Sequence, residues 1–268
     1  MNRAGRRPEK THALVLRSVE FGESDRILHL LVPEYGRITA IAKGARRSVK
    51  RFGGTLDLFN HLRVQIAVKR GGAMSRLEAA QLVHHFAPLR HDPVRFGLGC
   101  YLLELLDRLA PDGGAARDMR RLYRFALDAL GTVAAQPLSP ALRTILELRV
   151  FDALGVRPEL RRCVGCGDDL GREAALGFHV ADGGPVCRGC ASRRTGVVPV
   201  HLGTLRALDQ ALTLDAERLG RLSFSAQALE EAQRLVGRFQ RFHVGVELQS
   251  ERFLERVLPA GGRVAGPV

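Results

Sequence analysis

Four of the five cysteines fall into two matched pairs, Cys163-Val164-Gly165-Cys166 and Cys187-Arg188-Gly189-Cys190, with 20 residues between them. Each C-x-x-C turn aims two sulfurs at one ion, and two such turns complete a tetrahedron, so this spacing points to a four-thiolate zinc site. Gly165, Gly167 and Gly189 allow the tight backbone turns around the sulfurs. Four thiolates close the coordination sphere and leave no position for water, which predicts a structural Zn2+ held by Cys163, Cys166, Cys187 and Cys190. Disulfide pairing is the alternative for an exported chain; nothing suggests export, and reduced thiols favour metal. A deaminase-like Pro185-Val186-Cys187 lacks the His-x-Glu that such chemistry needs. The fifth cysteine, Cys100, sits beside Tyr101 and Leu102 and is read as a small buried hydrophobe.

The second constellation is electrostatic. Lys43, Arg46, Arg47, Lys50 and Arg51 place five cations within nine residues, with Gly44 before and Gly53-Gly54 after, and Phe52 alongside. Cations so spaced suit phosphates, each contact releasing condensed counterion. An aromatic ring beside them suits base stacking, for which Phe52, Tyr35 and Phe21 are the candidates, with core packing the equal competing role for each. The alternative is a solvated loop tip. No phosphate-cradling G-x-x-x-x-G-K-[ST] occurs, so nothing argues for an ATP-driven motor.

The wider charge distribution agrees with an anionic partner. Lys and Arg number 41 against 28 Asp and Glu, a net of +13, and residues 1–83 alone carry +9 of it. Residues 84–158 carry only +2. A merely solvated surface would spread the excess evenly; a nucleic-acid-binding region concentrates it.

Elements that could position these residues follow from periodicity. Apolar runs at 11–19, 26–32, 36–42, 61–68 and 74–83 read as five strands, with Leu62, Val64, Ile66 and Val68 alternating onto one face and Pro33-Glu34-Tyr35-Gly36 as a tight turn. Five strands in so short a span suggest a small closed or partly open barrel. Helical spacing follows at 96–110, 119–133 and 141–154, then at 202–214, 226–242 and 246–257, with a Cys- and Gly-rich module at 159–197 between them. The expected organisation is therefore α+β and multi-domain: a strand domain at 1–83 with residues 1–10 as a loose tail, helices at 84–158, the cysteine module at 159–197, and helices again at 198–268, ending in a frayed 259–268. No apolar stretch approaches the ~20 residues of a membrane span, and the opening MNRAGRRPEK has no signal-peptide core.

Several segments together resemble the bacterial RecO family of recombination mediators. They are Phe21-Gly22-Glu23-Ser24-Asp25-Arg26, Glu34-Tyr35-Gly36-Arg37, Ala42-Lys43-Gly44-Ala45-Arg46-Arg47 with its continuation SVKRFGGTLDLF, and Leu248-Gln249-Ser250-Glu251-Arg252-Phe253-Leu254 near the C-terminus. The resemblance implies an N-terminal OB-fold barrel, an α-helical domain and an inserted zinc ribbon-like module. It also implies a non-enzymatic activity in RecF-pathway DNA repair. Such a protein binds single- and double-stranded DNA and anneals strands coated with single-stranded DNA-binding protein, whose C-terminal tail it contacts. With RecR it helps to load RecA. Lys43, Arg46, Arg47, Lys50 and Arg51 would then contact DNA, with Phe52 beside them, in a cytoplasmic, nucleoid-associated protein.

Two other classes compete. An OB-plus-zinc-ribbon module for RNA would share the barrel, cations and cysteines. A metal-dependent nuclease would need clustered Asp, Glu and His around an open metal; His84-His85 with His91-Asp92 is the one crowding of that kind, and a barrel-to-helix junction explains it more cheaply.

Overall fold

A computed structural model describes residues 7–69, 73–171, 175–245 and 248–258 of the chain. The chain forms two compact units, Met1–Ala135 and Gln136–Val268.

In the first unit, β1 (Glu9–Phe21), β2 (Asp25–Val32), β3 (Gly36–Ala42), β4 (His61–Ala67) and β5 (Ser75–His84) close into a barrel in the order β1-β2-β3-β5-β4. The long β1 makes closure possible. Its first half pairs with β4, from Glu9 opposite Ile66 to Leu14 opposite His61, and its second half with β2, from Leu14 opposite Leu31 to Phe21 opposite Asp25. A register shift between Val15 and Arg17 bends the strand between its two partners, as a bulge does. One parallel pairing, Ala40 to Ala42 against Ser75 to Leu77, seals the wall between β3 and β5. Alternation then decides the interior: Leu28, Leu30, Val32, Leu62, Val64, Ile66 and Val68 all turn inward and are buried. The face expected for Leu62, Val64, Ile66 and Val68 is the one observed.

Glu9 and Lys10, expected in the loose tail, are instead the first paired residues of β1, opposite Ile66 and Gln65; residues 1–6 lie outside the described residues. Short helices α1 (Val49–Phe52) and α2 (Pro88–His91) have too few residues to show a period, and sequence reading passes over them. Helices α3 (Pro93–Leu109) and α4 (Ala116–Ala135) complete this unit. The Asp92 carboxylate caps α3 by accepting from the backbone N–H of Val94 and Arg95 at 2.8 and 3.0 Å. Asp107 of α3 binds His29 of β2 at 2.7 Å and lies 3.6 Å from Arg37 of β3.

The second unit begins with α5 (Pro140–Leu154), capped by the Ser139 hydroxyl and stopped by Gly155 in the left-handed region at φ 79°. The cysteine module follows, with β6 (Ala175–His179), β7 (Gly184–Val186), β8 (Val197–His201) and the single-turn α6 (Arg188–Ala191). The three strands form one antiparallel sheet in the order β7-β6-β8, which the cysteine spacing alone does not reveal. Then come α7 (Leu202–Thr213), a 3-10 segment (Ala216–Arg221), α8 (Ala226–Val244) and α9 (Gln249–Val257). Phe151 and Phe239 meet edge to face at 5.1 Å to tie α5 to α8. The start of the expected last helix, residues 246–247, and the tail at 259–268 fall outside the described residues. No helix among the described residues is long and apolar enough to cross a membrane.

Candidate nucleic-acid surface and metal centre

The basic loop leaves the barrel at the end of β3 and is held in place from both sides. Asp25, at the start of β2, accepts from the Gly44 N–H at 2.8 Å, and the Ser24 carbonyl accepts from the Arg46 N–H at 2.9 Å. The β1–β2 turn is thus the loop's anchor. Within the loop, Arg47 and Ser48 N–H groups both donate to the Gly44 carbonyl, and α1 turns the chain back toward the barrel. Arg51 closes the loop: its guanidinium donates to the Lys43 carbonyl at 2.9 Å and to the Ser48 hydroxyl at 3.0 Å.

The result is a set of exposed cations on an ordered frame. Lys43, Arg46, Arg47 and Lys50 are exposed, and Arg51 is half-buried. Arg46 faces Glu20 at 3.3 Å and Arg47 faces Glu23 at 3.5 Å. Both pairs are open to water, and such pairs contribute about 0–1 kcal/mol, so the two guanidinium groups are only weakly held by their carboxylates. Beside the loop lies a cavity of about 290 Å³ lined by Arg26, Arg46, Phe52, Thr55 and Asp57 among others, across which Arg26 pairs with Asp57 at 3.1 Å.

Phe52 differs from the expectation. Its ring is 2% exposed and belongs to the barrel's hydrophobic core, with Arg51 over it at 5.0 Å. The four-residue α1 turns Phe52 inward and leaves Val49 82% exposed, so the ring plugs the barrel and presents no face to a base. Tyr35 also packs against that core. Phe21 is the exposed ring of the three, 52% exposed at the end of β1. Asp25 and Ser24 are the residues that reading the loop alone misses; their hydrogen bonds to it span 19 and 22 residues of chain, and no local pattern encodes them.

The two C-x-x-C turns meet as their spacing predicts. Cys163, Cys166, Cys187 and Cys190 bring their sulfurs within 4.8 Å of one another and can hold one metal ion. Backbone N–H groups of Gly165 and Cys187 point at the Cys163 sulfur at 3.4 and 3.3 Å. Burial opposes ionisation of this thiol, but the N–H groups of Cys187, Cys166 and Gly165 outweigh it and hold the thiol down at about 6. Gly165 is required by space: a Cβ there would stand 2.8 Å from the Cys190 sulfur. Arg194 donates to the Cys190 carbonyl at 3.2 Å and to Asp182 at 2.9 Å, placing one cation beside the thiolates. A soft four-sulfur donor set, with backbone N–H groups fixing the Cys163 sulfur, fits a tetrahedral divalent ion.

The remaining candidates lie at the largely exposed junction between β5 and α3. His84 and His85 stack at 6.1 Å, and the Phe86 ring meets His84 edge-on at 4.4 Å. Asp92 is taken up as the α3 cap. Among the described residues, the cysteines are the one group of three or more potential metal ligands. Cys100 is half-buried, and burial with Glu104 nearby pushes its thiol up to about 11. Outside the loop, His12 and His61 approach to 3.1 Å on β1 and β4; burial, then His12 and His84, lower the His61 pKa.

Comparison with known proteins covers both units. The family model described as recombination protein O N terminal matches residues 7–86, and that described as recombination protein O C terminal matches residues 90–252. DNA repair protein RecO of Anaeromyxobacter dehalogenans (strain 2CP-C) is 33% identical over 253 residues, covering 94% of this chain and 98% of its own. The Geobacter sulfurreducens protein of the same name is 33% identical over 252 residues, covering 94% and 99%. That of Symbiobacterium thermophilum is 31% identical over 248 residues, covering 92% and 96%.

Proposed function

The chain belongs to the recombination protein O family, and from that premise we propose that it is a DNA-binding recombination mediator that acts without breaking a covalent bond. It brings together single strands coated with single-stranded DNA-binding protein and works with RecR to load RecA. The carrying observation is the anchored loop, which presents Lys43, Arg46, Arg47 and Lys50 to solvent from the end of a closed barrel.

The mechanism is electrostatic. Two DNA strands repel through their phosphates, and a surface that neutralises several of them lowers the barrier to pairing. Arginine suits this task because its planar fork grips phosphate through two hydrogen bonds. Pre-ordering by Asp25, Ser24 and Arg51 means that binding orders little additional chain, so less of the interaction free energy is lost to entropy. Phe21, exposed at the end of β1, supplies a ring for stacking on an unpaired base. In the second unit we assign the four cysteines a structural Zn2+, which would hold the two turns together and supply no reactive position. Single- and double-stranded DNA, RecR and the tail of single-stranded DNA-binding protein are the proposed partners, in the cytoplasm at the nucleoid.

The test is annealing of complementary oligonucleotides precoated with single-stranded DNA-binding protein, using the full chain and the variant K43A/R46A/R47A/K50A. The expected result is acceleration by the native chain, loss of it in the variant, and a log-affinity versus log-salt slope flatter by about 0.7 for each lost single-strand contact. No acceleration, or an unchanged slope, overturns the reading. Tighter binding of structured RNA than of single-stranded DNA replaces it with the RNA-binding alternative.

A further inference from the structure

Helix α4 carries Arg117, Arg120, Arg121 and Arg124, all exposed. Offsets of three, four and seven put them on one face of the helix, within about 10 Å of axis at 1.5 Å per residue. Sequence averages conceal this stripe, because residues 84–158 have a net charge of only +2. The structure shows why the average misleads. Several acids of that segment are already engaged: Asp107 with His29, Asp112 with Arg37, and Asp92 as a helix cap. Among the described residues, Arg117, Arg120 and Arg124 make no ion pair.

Their position on the helix also runs against its own electrostatics. A helix start is positive and favours acidic side chains, yet here three of the four arginines lie in the first two turns, with Asp118 as the one acid of the first turn and no cation in the last turn. Charge stacked on the positive end of the dipole raises the potential where an anion would relieve it.

From this we infer that α4 is a second phosphate-binding surface, occupied by the backbone of a second DNA strand while the loop at residues 43–51 holds the first. The inference rests on the DNA-binding reading above. Met119, amid the stripe, packs against Gly36 at the start of β3, whereas the basic loop begins at Lys43, just after the end of β3. Six residue steps of strand separate the two ends, about 20 Å at roughly 3.3 Å per step. That exceeds the ~8 Å screening length at physiological salt, so two phosphate backbones bound at the two ends repel little. Both surfaces belong to one compact unit, and holding two strands on it turns their encounter into a local event at high effective concentration. A protein with one surface neutralises one strand and leaves the other to diffusion.

The experiment uses the full chain, low salt, and a six-nucleotide oligothymidylate as probe. Binding stoichiometry is read by calorimetry and annealing by fluorescence. The native chain is expected to bind two oligonucleotides. R117A/R120A/R121A/R124A should bind one and anneal at least about fivefold more slowly, the corresponding lysine variant should retain both activities, and joint removal of the α4 and loop cations should abolish binding. One oligonucleotide per native chain, or an α4 variant that still binds two and anneals at the native rate, overturns the inference. So does an α4 variant that keeps its DNA stoichiometry but loses binding to an acidic peptide. A native chain that binds no DNA at all fails the underlying reading instead. Circular dichroism of the alanine variant reports its fold.

Discussion

Arg51 donates from its guanidinium to the Lys43 carbonyl at 2.9 Å and so joins the two ends of the basic loop. It also holds the Ser48 hydroxyl and lies over the buried Phe52 ring. Its role therefore differs from that of its exposed neighbours, although the sequence groups all five cations together. Arg51→Lys keeps the charge but loses the planar fork that reaches both partners. It should weaken DNA binding more than Lys50→Arg does, and it should speed tryptic cleavage after Lys43, Arg46, Arg47 and Lys50. Limited proteolysis checks this. Equal cleavage rates in native and Arg51→Lys chains would show that the loop stays closed without Arg51.

Metal removal should act on the second unit. The cysteine sulfurs converge within 4.8 Å, and an ion bound there would tie the two turns together, so that its binding free energy adds to folding free energy. Chelation should lower the melting temperature. Cys163→Ser should do so at least as strongly as Cys166→Ser, since Cys163 is buried and accepts from two backbone N–H groups while Cys166 is exposed. Elemental analysis with thermal melts decides the matter. Native zinc content and native melting temperature in Cys163→Ser would remove the site.

Glu231 ties α8 to the start of α7. Its carboxylate, 7% exposed, accepts from the Thr204 hydroxyl at 2.7 Å, the His201 N–H at 3.0 Å and the His201 ring at 2.5 Å. Burial alone would raise its pKa, but these donors together pull it below the ordinary 4.5. A depressed carboxyl pKa contributes stability above the unfolded value, and that contribution is lost as pH falls through the folded one. Stability should therefore drop on acidification below about pH 4.5. Glu231→Gln should cost about 1.5–3 kcal/mol at pH 7 and flatten that acid limb. Urea melts from pH 7 to pH 3 read both effects, and an unchanged limb in the variant would assign the acid sensitivity elsewhere.

What the sequence made legible was local. The alternation of Leu62, Val64, Ile66 and Val68 names its own buried face because a strand repeats every two residues. The cysteines announce their cluster because two short turns carry all four sulfurs. Phe52 misled because α1 is four residues long, too short to show a period, and turns the ring opposite to its solvent-facing neighbours. The anchoring of the loop by Asp25 depended on a contact between residues 19 apart in the chain, whereas the arginines of α4 are written in the local spacing 117, 120, 121 and 124 and are hidden only when charge is averaged over residues 84–158.

Gly36 is a point where the barrel meets α4, and its substitution should separate backbone strain from packing. Its φ is +72°, which glycine alone adopts without penalty. A Cβ there would stand 2.5 Å from the Pro111 carbonyl oxygen and 2.6 Å from the Met119 sulfur. The methionine side chain can yield; the Pro111 carbonyl is backbone and accepts from the Arg37 N–H at 3.0 Å, so it cannot move without breaking that bond. Gly22 offers the control, since its φ is +59° and nothing lies within 4 Å of a Cβ there. Gly22→Ala should cost about 1–2 kcal/mol from backbone conformation alone. Gly36→Ala should exceed it by on the order of 1–3 kcal/mol, the range typical of overpacking, and should loosen the start of α4. Thermal melts of the two variants compare the costs, and hydrogen exchange at residues 116–124 follows the helix. Equal destabilisation by the two substitutions would mean that α4 does not depend on the Gly36 contact for its place.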